Sequence, residues 1–166
     1  MTDYEKLLHY ALRILSKKRY TVLEMRKKLK YIIKKNTRIT DKPESATTLI
    51  DLVIERVLEL KYLNDEVYLE DYIRDRVNFK PRGKLLLMKE LQLKGLEKNL
   101  ITEALQNQNI NEFDMALGLL EKKKQSWEKY SEEKRRNKAF LYLESKGFGQ
   151  DPIYKAINCC YSAIRE

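Results

Sequence analysis

The motif Leu-x-x-Lys-Gly occurs twice, as Leu91-x-x-Lys94-Gly95 and Leu143-x-x-Lys146-Gly147, 52 residues apart. A glycine after an apolar helical stripe, with a cation in the last turn, is a helix stop: glycine accepts the left-handed backbone and the cation suits the negative helix end. Six residues beyond each glycine stands an isoleucine, Ile101 and Ile153, followed at equal offsets by Ala104-Leu105 and Ala156-Ile157. A stop and the helix after it, repeated at fixed spacing, mark a supersecondary unit used more than once. With five glycines and three prolines in 166 residues, there are few places to break helices and little material for hairpins.

Start signals fall in step with this reading. Thr2 with Glu5 and Thr21 with Glu24 have capping-box spacing, in which the two side chains satisfy each other's free backbone N–H groups. The first helix carries Tyr4, Leu7, Leu8, Ala11, Leu12 and Leu15 on one face and runs to about Lys17; the second carries Met25, Leu29 and Ile32. Residues 34–42 are polar and aperiodic, so they read as a loop. A third helix begins near Pro43 or Glu44, with Ala46, Leu49, Ile50, Val53, Val57 and Leu60 inward. Asn64 is the cap of a fourth helix, with Asp65 and Glu66 in the first turn and Leu69, Tyr72, Ile73 and Val77 as its stripe. Pro81 is placed at the opening of a fifth, with Leu85, Met88 and Leu91 inward, and Leu100, Ile101, Ala104 and Leu105 line a sixth.

After a polar connector, Asn111 caps a seventh helix bearing Phe113, Ala116, Leu117 and Leu120. The charged stretch 121–138 contains a bend, with Ser131 capping an eighth helix that carries Ala139, Phe140 and Leu143. Asp151-Pro152 opens the ninth, lined by Ile153, Ala156, Ile157, Cys160 and Ile164. The expectation is an all-α chain of three tandem three-helix repeats, at 1–62, 63–108 and 111–166, in an elongated, curved array. Units of about 50 residues bury little apolar surface alone, so each gains from a stacked neighbour.

Several function classes drop out. Purely apolar runs such as 85–88 and 139–143 reach at most five residues, too short to span a bilayer. Residues 1–10 lack the apolar core of a secretory signal, so a cytoplasmic location is expected. Cys159 and Cys160 are adjacent; helix neighbours point about 100° apart, so they do not pair with each other. His9 is the one histidine, and the glycines are too scattered for a phosphate loop. No catalytic constellation, metal set or cofactor motif is legible, and an enzyme is not expected.

Charge is the more informative property. The net formal charge is +9, and residues 1–42 alone hold 13 Lys/Arg against 4 Asp/Glu. Residues 43–73 carry two bases and eight acids, after which the sign reverses: Arg74, Arg76, Lys80, Arg82, Lys84, Lys89 and Lys94 form a basic run. Lys122, Lys123 and Lys124 with Lys134, Arg135 and Arg136 form a second, diluted by Glu121, Glu128, Glu132 and Glu133. Such runs are the candidate partner-binding residues, although an ordinary solvated face has the same composition. Lys80 and Arg82 flank Pro81, where a helix N-terminus would add positive potential for a docked phosphate or carboxylate.

Taken in order, Ala11-Leu12-Arg13-Ile14-Leu15, Glu24-Met25-Arg26-x-x-Leu29, Tyr62-Leu63-Asn64-Asp65, Leu91-x-x-Lys94-Gly95 and Tyr142-Leu143-x-x-x-Gly147-Phe148 resemble the RecX family of bacterial recombination regulators. The resemblance spans nearly all of the chain; Leu69 departs from it, standing where the family usually has alanine. It implies a monomeric regulator lying in the groove of a RecA filament on single-stranded DNA, touching adjacent subunits and restraining ATP hydrolysis, strand exchange or filament growth in DNA repair, recombination and the SOS response. The competing reading is a sequence-nonspecific DNA-binding helical module, since no repeat shows the Asn/Gln/Arg cluster that base reading favours.

Overall fold

The computed structural model describes residues 2–35 and 43–161; positions 36–42 of the loop expected at 34–42, and Ile164, lie outside the described residues. Within them are nine helices and no strand: α1 (Asp3–Leu15), α2 (Val22–Lys35), α3 (Pro43–Glu59), α4 (Asp65–Asn78), α5 (Lys84–Leu93), α6 (Lys98–Asn107), α7 (Glu112–Trp127), α8 (Glu132–Ser145) and α9 (Gln150–Tyr161). The caps stand where the side chains place them. Thr2–Glu5 and Thr21–Glu24 both close as reciprocal capping boxes. Asn64 accepts from the N–H groups of Glu66 and Val67, Asn111 from Asp114, and Ser131 from Lys134. Gly95 and Gly147 have φ of +87° and +80°, the left-handed backbone that ends a helix most cheaply at glycine.

The helices gather into two compact units. The first comprises the residues up to Leu69 together with Leu93–Glu97. Its core is built from Leu7 and Ala11 of α1, Met25, Leu29 and Ile33 of α2, and Ile50, Val53, Ile54 and Val57 of α3, closed by Leu63. The second comprises Glu70–Gln92 and Lys98 onward. Its largest cluster joins Ala116, Leu119 and Leu120 of α7 to Ala139 and Leu143 of α8 and to Ile153, Ala156, Ile157 and Cys160 of α9. Ile73, Leu87, Leu91, Ile101 and Leu105 are also buried in this unit.

Four expectations shift. In α2 the innermost late residue is Ile33 rather than Ile32, and the helix continues to Lys35. Leu60 at the end of α3 is exposed. α9 starts at Gln150, so Asp151 and Pro152 sit inside the first turn, where proline's missing N–H is still harmless. The largest change is in α5: it begins at Lys84, three residues past Pro81, and it buries Leu87 and Leu91 while Leu85 stays 66% exposed. The reason is a tertiary contact. Gly83 donates its N–H to the carbonyl oxygen of Lys146 at 2.9 Å, and Leu85 donates to that of Gly147 at 3.2 Å. The approach is so close that a Cβ on Gly83 would lie 2.1 Å from the Gly147 oxygen, and one on Gly147 2.2 Å from the Leu86 Cβ.

The first unit contains the same joint. Thr21, at the start of α2, donates its hydroxyl to the carbonyl oxygen of Lys94 at 2.7 Å, and a Cβ on Gly95 would lie 2.5 Å from that of Leu23. The parallel extends to the caps. The N–H of Val22, first residue of α2, goes to the carboxylate of Asp65, first residue of α4; the N–H of Lys84, first residue of α5, goes to Glu112, first residue of α7. Each bond measures 2.9 Å. An asparagine thus caps its own helix while the acid beside it caps the start of another, filling orphan N–H groups at both.

Candidate interaction surface

The basic run after Asp71 is not one uniform face. In the second unit, Arg76 on α4 and Arg82 before α5 both turn toward Glu90 of α5, with Nε 3.8 and 3.7 Å from its carboxylate oxygens. The Tyr72 hydroxyl donates to the same carboxylate at 2.8 Å and accepts from Arg76 at 3.0 Å. The Arg76 guanidinium also lies 4.5 Å from the Tyr72 ring centroid. Burial works against the Arg76 charge, yet Tyr72 and Glu90 outweigh it and hold its pKa above the ordinary value. Burial pushes the Tyr72 phenol up as well. This tyrosine–arginine–glutamate knot joins α4, the connector and α5.

The anion dock expected beside Pro81 is therefore not present in the form the sequence suggested. No helix begins there, Arg82 faces Glu90, and the first N–H of α5 is taken by Glu112. Lys94 is likewise engaged. It pairs with Glu24 at 2.6 Å and lies 5.4 Å from the Tyr68 ring, both in the first unit. Burial opposes its charge, but the bonds to Glu24 and Tyr68 prevail and its pKa is pushed up to about 12. Arg74 pairs with Asp71 at 3.3 Å. Arg136 is shared between Glu132 and Asn158, both at 3.1 Å. Arg135 lies over the Tyr161 ring at 5.9 Å with its Nε buried.

What remains open are lysines. Among the described residues, the side chains of Lys80, Lys84 and Lys89 near α5 and of Lys122, Lys123 and Lys124 on α7 make no ion pair. Beside Lys89, an apolar depression is lined by Leu85, Phe140, Phe148 and Ile153. Sequence reasoning missed Glu90, which organises the arginines, and the aromatic residues Trp127, Tyr130 and Tyr142, around which further lysines gather. Tyr130 directly after Lys129, with Lys134 and Lys138 one helical turn apart beyond Ser131, carried that signal. No group of three or more His, Cys, Asp or Glu side chains converges as a metal site among the described residues. Nor is any described helix long and apolar enough to cross a membrane.

Known proteins resemble this chain along its length. Residues 64–105 match the family model of the second three-helix domain of RecX, and residues 111–157 that of the third. The regulatory protein RecX of Bacillus cytotoxicus is 33% identical over 126 residues, covering 75% of this chain and 45% of the relative. That of Bacillus mycoides is 31% identical over 129 residues, covering 75% and 48%. The chain thus aligns with about half the length of these relatives. The crystal structure of RecX from Lactobacillus salivarius superposes with a TM-score of 0.76 at 25% identity, over 95% of this chain and 96% of that one. A second RecX crystal structure, at 23% identity and a TM-score of 0.77, shares the fold.

Proposed function

The chain belongs to the RecX family of regulatory proteins, and from that premise we propose that it binds a RecA filament on single-stranded DNA and restrains its ATP hydrolysis, strand exchange or growth. The observation that carries the reading is the match of two consecutive RecX three-helix domains, at 64–105 and 111–157. We take the repeats to divide at 1–62, 63–108 and 111–166, the first completing the set. A filament repeats its subunits, and a chain of repeats engages several at once, so that linked weak contacts sum to useful avidity. The unpaired lysines near α5 and on α7 supply a cationic side, which steers a protein toward a polyanionic nucleoprotein. The chain acts in this reading as a monomeric cytoplasmic binding protein without chemistry of its own.

The test is ATP hydrolysis by the cognate recombinase on single-stranded DNA with increasing amounts of this protein. Hydrolysis is expected to fall at substoichiometric protein. An unchanged rate at equimolar protein removes the proposal.

A further inference from the structure

We propose that the turn joining α7 to α8 is a binding site for single-stranded nucleic acid, with Tyr130 as the base-stacking platform and Lys129, Lys134 and Lys138 as its phosphate contacts. The turn is internally bonded, Tyr130 donating its N–H to the Trp127 carbonyl at 3.0 Å and Ser131 capping α8, so the ring is carried on an ordered frame. Tyr130 is half-exposed and is not among the aromatic residues packed on the unit's core, whereas Trp127 and Tyr142 are.

Three cations stand over the ring. The ammonium groups of Lys134 and Lys138 lie 4.9 Å from its centroid and that of Lys129 lies 5.3 Å away. Among the described residues none of the three pairs with a carboxylate; Glu132, the first residue of α8, is held by Arg136. Three like charges around one ring repel one another, and the ring quadrupole compensates them only in part. A phosphodiester would draw these ammonium groups off the ring and relieve that repulsion, leaving the ring face to an unstacked base, whose flat apolar surface an aromatic ring accepts. The pattern continues inward. Lys138 also approaches Trp127 at 5.9 Å, Trp127 packs edge-on to Tyr142 at 5.8 Å, and Lys123 and Lys146 each lie 5.6 Å from the Tyr142 ring. These lysines extend the cationic strip beyond the turn, so that a flexible strand stacked on Tyr130 meets further phosphate contacts. A duplex, whose bases are already stacked, offers only its phosphates.

The site requires no recombinase, so its test is independent of the filament reading. Trp127 is the sole tryptophan and reports directly. The full chain, without recombinase and at low salt, is titrated with oligothymidylate and with oligouridylate, which separate DNA from RNA as the source of the strand, and with duplex DNA. Quenching of Trp127 by at least one single strand, with weaker binding of duplex, is expected. Tyr130→Ala should weaken binding about tenfold or more while Tyr130→Phe retains it. The double variant Lys134→Gln, Lys138→Gln keeps the platform and should flatten the log–log salt dependence by about 1.4. Far-ultraviolet circular dichroism establishes that each variant is folded. Absence of single-strand binding, equal affinity for duplex, or an unchanged affinity in folded Tyr130→Ala overturns the proposal.

Discussion

The hydroxyl of Thr21 donates to the carbonyl oxygen of Lys94 across 2.7 Å, a bond between residues 73 positions apart. The Thr21 hydroxyl oxygen in turn accepts the N–H of Glu24, and the Thr21 N–H goes to the Glu24 carboxylate, so a wholly buried threonine has its hydroxyl and its N–H both matched. Thr21→Ala removes both the cap and the long-range bond and should cost roughly 1–3 kcal/mol. Thr21→Ser keeps the hydroxyl and should lose less. Urea unfolding followed by circular dichroism measures both.

Asp65 allows a test of charge against hydrogen bonding. Burial pushes its carboxyl above its ordinary value; the bond from the Val22 N–H pulls it back, and the charge of Glu24 adds to the rise. A raised folded-state pKa means that the native chain holds this proton more tightly than the unfolded chain. The group therefore favours folding below its unfolded pKa, and that contribution is lost as pH rises through the folded value. Asp65→Asn retains an acceptor for Val22 and discards the buried charge. At pH 7 it should match or exceed the wild type in stability, while Asp65→Ala should lose about 1 kcal/mol. The asparagine variant should also show a flatter stability–pH curve between the ordinary Asp value and the raised folded one.

The glycines separate by environment. Gly147→Ala combines a left-handed backbone with a Cβ 2.2 Å from that of Leu86, and should destabilise by at least about 2 kcal/mol. Gly118 lies within α7, where an added methyl group would meet nothing within 4 Å; Gly118→Ala should instead stabilise by about 0.5–1 kcal/mol. Thermal unfolding of the two variants should move in opposite directions.

Two leucines six residues apart in α5 should differ as sharply. Leu91 is fully buried and Leu85 is mostly exposed. Leu91→Ala is expected to cost roughly 2–5 kcal/mol, and Leu85→Ala less than about 0.5 kcal/mol. Equal losses by chemical denaturation would place Leu85 in the core.

Charge reversal should divide structure from binding. Lys80→Glu, Lys84→Glu and Lys89→Glu together should weaken recombinase inhibition with the melting temperature little changed, since none of these side chains makes an ion pair among the described residues. Arg82→Glu sets a carboxylate against Glu90 and should lower stability by roughly 1–2 kcal/mol. Unaltered inhibition by the triple lysine variant would remove this patch from the interface.

Much of this fold is local and was legible for that reason. The boxes at Thr2 and Thr21, the caps at Asn64, Asn111 and Ser131, and the stops at Gly95 and Gly147 depend on a few neighbouring residues. The phase of α5 was not legible, because Leu85, Leu86, Leu87 and Met88 are four successive apolar residues and any face looks suitable. Contact with Lys146 and Gly147, more than 60 positions away, decides it. The candidate site suffered similarly. A list of bases does not reveal that Arg76 and Arg82 share Glu90, or that Lys129, Lys134 and Lys138 surround one tyrosine.

The two joints have a consequence for divergence. Their acceptors are main-chain oxygens, Lys94 in one and Lys146 and Gly147 in the other, and their closeness depends on glycines that contribute no side chain. Mutation alters side chains and leaves peptide carbonyls in place. So long as Thr21, Gly83, Gly95 and Gly147 persist, lineages can rewrite the outward chemistry of these helices, trading one partner's contours for another's, while the splice from helix to turn holds.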